Sequence, residues 1–182
     1  MFEGIFTALI TPFKDGKVDE SALWNLVEQQ IEAGIAGLVP CGSTGESATL
    51  SADEHNDVID IVISAAAGRV PVIAGTGSNN TREAISFTQY AKDAGATGAL
   101  LLSPYYNKPT QEGLIEHFVA IADATQIPLM LYNIPGRTAS NMLPETIARL
   151  AEHEFIVGVK EACGDLDQIS QLISLCPSDF TV

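Results

Sequence analysis

Short apolar runs alternate with amphipathic stretches along the whole chain. The runs are residues 4–10, 37–40, 70–74, 99–102, 129–132 and 156–160, with a last fragment beginning near Phe180. Each is mostly continuous in apolar character, as expected of strands buried on both faces of a parallel sheet. The stretches between them carry helix signals. Ser51-x-x-Glu54 reads as a capping box, Thr81 and Thr110 precede two further helices, Pro144 suits a first helical turn, and Asp165-x-x-Gln168 opens the last. In the first helix Leu23, Leu26, Val27 and Ile31 fall on one side, the face that packs on a sheet.

This β–α order has no long linker and no composition shift, so residues 1–182 read as a single domain whose crossovers make the sheet parallel. EAGIAGLVP around Gly34 and DAGATGALLLSP around Gly95 echo one another, each ending a helix on a glycine suited to a left-handed cap. Such quasi-repetition fits a (β/α)8 TIM barrel better than a doubly wound sheet. A doubly wound sheet would place a Gly-rich phosphate loop after the first strand, where Thr11-Pro12-Phe13 stands instead. A full barrel takes eight units and ~250 residues. The expectation is therefore a C-terminally truncated barrel of about six βα units plus the start of strand 7, with a bare sheet edge there.

Composition narrows the function. Nine Lys and Arg against 23 Asp and Glu give a net charge of −14, which repels phosphate backbones and argues against nucleic-acid binding. With 46% hydrophobic residues the chain can bury a core. No run approaches the ~18 apolar residues of a membrane span, and the opening lacks a secretory pattern, so a cytoplasmic protein without membrane partners is expected. Cys41, Cys163 and Cys176 have neither disulfide nor zinc spacing and should be reduced. His55, His117 and His153 form no metal motif and read as surface residues; no metal or cofactor is expected.

Reactive residues in a barrel sit at the carboxyl ends of strands. After the second strand, Gly42-Ser43-Thr44-Gly45-Glu46-Ser47 offers two hydroxyls between glycines, an anion cradle or else an ordinary Gly-Ser/Thr turn. The GTGSN of residues 75–79 lacks the G-x-G-x-x-G order and reads as a βα turn with Thr81 as helix cap. Lys160 ends a strand and shares a face with Gly158. Facing inward it would be buried beside a glycine that leaves room for a ligand, its lowered pKa freeing the amine to form a Schiff base; facing outward it would snorkel. Tyr132 and Tyr106 lie at or soon after strand ends and can pass protons, or simply pack. Arg137 on the same rim can clamp a carboxylate, or be an exposed loop arginine.

GSTGES, PYYNKPTQEG, YNIPGRT and GVKEACGD, in this order, resemble the 4-hydroxy-tetrahydrodipicolinate (dihydrodipicolinate) synthases of the pyruvate-dependent class I aldolases. The resemblance spans the chain. It implies condensation of pyruvate with L-aspartate 4-semialdehyde to 4-hydroxy-tetrahydrodipicolinate, a lyase step toward diaminopimelate and lysine. Lys160 then matches the Schiff-base lysine and Tyr132 the proton shuttle, linked through Ser43 to Tyr106, which in the family reaches into a neighbouring subunit of a dimer of dimers. Thr44 matches the residue that holds the pyruvate carboxylate, Arg137 the one that holds the semialdehyde carboxylate, and Gly42 a further substrate-binding position. Ser47, His55, Asn79, Glu83 and Tyr105 match a lysine feedback site, but Ala52 replaces a histidine often found there, so weak or absent lysine inhibition is expected. Ser43 stands where the family usually has threonine, which should loosen the relay. Two alternatives are an N-acetylneuraminate lyase-type aldolase, which shares GSTGE, and a non-catalytic truncated fragment of the synthase.

Overall fold

The computed structural model describes residues 2–182, which fold as two compact units: Phe2–Thr76 with Gln89–Ala99, and Gly77–Thr88 with Leu100–Val182.

In the first unit, strand β1 (Phe6–Ala8) leads to a small antiparallel hairpin, β2 (Phe13–Lys14) and β3 (Lys17–Val18). Its tip is Asp15-Gly16, both at positive φ, the pairing that two-residue hairpin turns favour. Helix α1 (Glu20–Glu32) is capped by Asp19, whose carboxylate accepts from the Ala22 amide at 3.0 Å. It ends on Gly34 at φ +82° and turns into β4 (Gly37–Val39), which pairs in parallel with β1. Gly37 gives the Phe6 ring its place, because a Cβ there would run into that ring and displace it. Helix α2 (Ala52–Ala66) has the full capping box: Ser51 accepts from the Glu54 amide, and the Glu54 carboxylate accepts from the Ser51 amide at 2.9 Å. A parallel bridge from Leu38 to Val72 continues the sheet toward β5 (Ile73–Gly75). Leu23, Val27, Leu38, Ile59 and Val62 are fully buried between helices and strands, each worth about 1.5–3 kcal/mol against exposure.

Helix α3 (Thr81–Ala94) and strand β6 (Gly98–Leu102) contribute to both units. Thr81 is the first residue of α3 and not its cap; Asn80 Oδ1 accepts from the Arg82 amide in that role. In the second unit follow α4 (Gln111–Thr125), capped by Thr110, and β7 (Leu129–Asn133). Next come a short helix α5 (Pro135–Thr138), which the sequence did not suggest, α6 (Pro144–Leu150) with proline in its first turn, β8 (Ile156–Glu161) and α7 (Leu166–Leu175), capped by Asp165. The sheet runs β6-β7-β8, with β7 and β8 parallel and Met130↔Gly158, Tyr132↔Lys160 and Asn133↔Glu161 in register. Gly158 also bridges in parallel to Thr181, where a further strand was expected to begin. Leu114, Phe118, Ile121, Leu129, Leu131 and Ile147 are fully buried in this unit's core.

The histidine expectation needs correction. His55 and His117 are buried, on helix faces turned toward strands or neighbouring helices; only His153 is partly exposed, beside Asp123. Among the described residues all three cysteines are free thiols, and no helix is long and apolar enough to cross a membrane.

Candidate active site

In the first unit, the loop after β4 is a run of tight turns. Gly45 donates to the Gly42 carbonyl at 3.0 Å, Glu46 to that of Ser43 at 3.2 Å and Ser47 to that of Gly42 at 3.4 Å. Thr11 pins it from below, its hydroxyl donating to the Gly45 carbonyl at 2.7 Å. A Cβ at buried Gly45 would lie 3.0 Å from the Leu9 carbonyl oxygen, so a side chain there would push the loop off its seat by a few tenths of an ångström. Cys41 and Glu46, both at left-handed φ, bend its two ends. This leaves Ser43 and Thr44 exposed, and among the described residues their amides donate no hydrogen bond. Two free N–H groups beside two hydroxyls suit a small carboxylate. Ser47 follows in a short 3-10 turn, and His55 lies on α2 with its Nε2 2.8 Å from the Gly75 carbonyl oxygen.

In the second unit, the central pair is Tyr132 on β7 and Lys160 on β8. They are register partners, and the Lys160 Nζ sits 4.4 Å from the centroid of the buried Tyr132 ring. The contact is of the cation–π kind. Lys160 is not a buried residue, as an inward-facing lysine was expected to be; its side chain is exposed. Even so, burial of part of the chain around the amine pulls its pKa below the ordinary lysine value, which favours the neutral, nucleophilic form. Gly158 also differs from expectation. A Cβ there would come within 2.7 Å of the Thr181 carbonyl oxygen and 2.9 Å of Met130 Cε, so the space it spares is filled by protein, not by a ligand.

The other candidates in this unit are more open. Arg137 is exposed on α5, whose turn is held by the Thr138 hydroxyl donating to the Ile134 carbonyl at 3.1 Å. Tyr106 is 89% exposed, with φ +72°, and so makes little contact within the chain and does not meet buried Tyr132. Tyr105 is at the border of exposure on the same loop, which Asn107 ties to the Asn79 carbonyl at 3.1 Å. Glu83, one turn into α3, accepts from the Ser78 hydroxyl. Asn79, Glu83 and Tyr105 therefore cluster around the start of α3.

Three residues of this unit that the sequence did not single out, Asn133, Asn141 and Glu161, gather behind the Lys160–Tyr132 pair together with Gln168, which the sequence marked only as opening the last helix. Asn133, Asn141, Glu161 and Gln168 share one hydrogen-bonded cluster. The available signal was position: Asn133 and Glu161 are polar residues directly following the two strand-end candidates.

The sequence model of the Dihydrodipicolinate synthetase family matches residues 1–182. The chain belongs to this family. It is 61% identical over 182 residues to the 4-hydroxy-tetrahydrodipicolinate synthase of Pelobacter propionicus, covering all of this chain and 63% of that protein. It superposes with a TM-score of 0.98 on the 4-hydroxy-tetrahydrodipicolinate synthase from Methylacidiphilum fumariolicum SolV, at 47% identity, covering 100% of this chain and 61% of that one. The dihydrodipicolinate synthase from Acinetobacter baumannii complexed with pyruvate is 52% identical, with a TM-score of 0.93 over 96% of this chain and 60% of that one. The chain thus spans about three fifths of the length of its relatives. Its α/β fold with parallel strands is that of the family's TIM-barrel structures.

Proposed function

We propose that the chain carries the imine-forming site of a 4-hydroxy-tetrahydrodipicolinate synthase, condensing pyruvate with L-aspartate 4-semialdehyde. The observation that carries this reading is the Lys160 amine, its pKa lowered by partial desolvation, held against the Tyr132 ring at the ends of two adjacent parallel strands. A neutral amine attacks the pyruvate ketone, and loss of water leaves a protonated imine that withdraws electrons from the neighbouring methyl group. Deprotonation there gives the carbon nucleophile that adds to the aldehyde. Tyr132 moves the protons, with the Ser43 hydroxyl and Tyr106 as the further members of the relay. Gly42 and Thr44, on the loop with free amides, hold the pyruvate carboxylate, and Arg137 holds that of the semialdehyde. This chemistry uses side chains alone, without a bound cofactor.

The exposure of Tyr106 supports a role outside its own subunit, in a homo-oligomer arranged as a dimer of dimers. Ser47, His55, Asn79, Glu83 and Tyr105 form the lysine feedback site in this reading, residues 1–182 belong to one barrel domain, and the protein works in the cytoplasm. The test is condensation itself. Purified chain given both substrates should consume pyruvate in step with semialdehyde and release none from N-acetylneuraminate; the converse would favour the lyase activity, and neither reaction would favour a non-catalytic chain.

A further inference from the structure

The rung of the β7–β8 ladder that follows Tyr132↔Lys160 is Asn133↔Glu161. Adjacent residues of a strand point to opposite faces, so this second pair lies behind the sheet and cannot touch anything bound at the lysine. Three donors converge there on the Glu161 carboxylate. They are Asn133 Nδ2 at 3.0 Å from each oxygen, the Cys163 amide at 2.8 Å and Gln168 Nε2 at 3.4 Å. Asn133, fully buried, also donates to Asn141 Oδ1 at 2.8 Å and accepts from the Met142 amide at 3.0 Å. Asn141 and Gln168 close the ring, Asn141 Nδ2 donating to Gln168 Oε1 at 2.8 Å. The cluster therefore joins the ends of β7 and β8, the α5–α6 connection and the first turn of α7. Gln168, placed in the sequence to complete a capping box with Asp165, spends its side chain here instead.

The two oxygens of this carboxyl group take up all three donors, an accepting capacity that an amide at the same place, with a single oxygen and an NH2 of its own, does not have. Strand ends otherwise fray, and the last rungs of this ladder are the ones that carry the amine and the phenol. We propose that Glu161, through Asn133, is a positioning residue that fixes the Lys160 amine over the Tyr132 ring from the opposite face of the sheet. The proposal rests on the imine-forming reading of that pair, and the experiment separates the two.

Lysines of the wild-type chain and of Glu161→Gln and Glu161→Ala would be reductively methylated with ¹³C-formaldehyde and observed by NMR, Lys160 being assigned from its absence in Lys160→Arg. The wild-type Lys160 methyl signal should be shifted upfield by the Tyr132 ring. Glu161→Gln keeps the side-chain shape but turns an amide donor toward other donors, and it should return that signal to the range of the remaining lysines while the thermal transition stays cooperative. Pyruvate-dependent borohydride labelling of unmethylated Lys160 should slow by about 10²-fold, the loss typical of a small misplacement of a reacting group. The pyruvate concentration for half-maximal labelling should move far less.

If Glu161→Gln keeps both the upfield signal and the wild-type labelling rate, the positioning role is overturned, whatever Glu161→Ala does to folding. If the signal collapses in Glu161→Gln but wild-type Lys160 is never labelled, the positioning role stands and the aldolase reading falls.

Discussion

Acid should weaken the second unit's core through His117. It is 6% exposed on α4, its Nδ1 lies 2.9 Å from the Thr81 hydroxyl, and its Nε2 has no hydrogen-bond partner among the described residues. Burial without a compensating charge pushes its pKa down from 6.5 to about 4. The sign follows from linkage. Between these two values the unfolded chain binds a proton that the folded chain refuses, so stability is unaffected above about pH 7 and falls as the pH drops toward 4. At pH 4.5 the loss from this one group comes to about 2–3 kcal/mol, and it is somewhat larger at lower pH. Glutamine at this position can keep the bond to Thr81 and does not titrate. Urea unfolding of wild type and His117→Gln at pH 7.5 and pH 4.5 should therefore show the wild type losing about 2–3 kcal/mol more than the variant on acidification. The carboxylates of Glu28, Glu54 and Glu112, held below their ordinary value by Arg69, Ser51 and Arg149, also lose stability in acid, but equally in both proteins. Parallel losses in the two proteins would refute the claim that His117 is buried in its neutral form.

Other consequences are checked more simply. Tyr132→Phe should leave borohydride trapping of pyruvate at Lys160 intact while condensation turnover falls by roughly 10²–10⁴-fold, the usual cost of losing a proton-transfer group; unchanged turnover would remove the phenol from the mechanism. Gly158→Ala places a methyl group 2.7 Å from the Thr181 carbonyl oxygen and 2.9 Å from Met130 Cε, and should destabilise by about 1–3 kcal/mol through overpacking, read as a lowered midpoint in thermal denaturation. Lysine added to the condensation assay should inhibit weakly or not at all, given Ala52; half-inhibition well below millimolar would show that the feedback site works without a histidine at that position.

Much of the fold was legible because burial on both faces of a parallel sheet writes continuous apolar runs, and because helix starts have short-range chemistry. The Ser51–Glu54 capping box and the positive φ of Gly34 and Gly95 are local features, and they formed as read. What depends on neighbours distant in sequence was read less well. Thr81 looked like a cap, but its hydroxyl meets His117, 36 residues away. His55 and His117 looked like surface residues because nothing local reveals which face of a helix a histidine occupies. Gly158 looked like space for a ligand, yet its neighbour is Thr181. The pairing of Lys160 with Tyr132 could be anticipated from both ending adjacent strands. The cluster behind them could not, since the roles of Asn133 and Glu161 emerge only when four separated segments meet.

The proposed chemistry turns on Lys160 as the imine-forming amine. Incubation of the chain with pyruvate, reduction with borohydride and peptide mapping by mass spectrometry tests this directly. A single adduct, with the mass of reduced pyruvate, is expected on the peptide containing Lys160. No adduct, or labelling spread equally over Lys14, Lys17, Lys92 and Lys108, would contradict it.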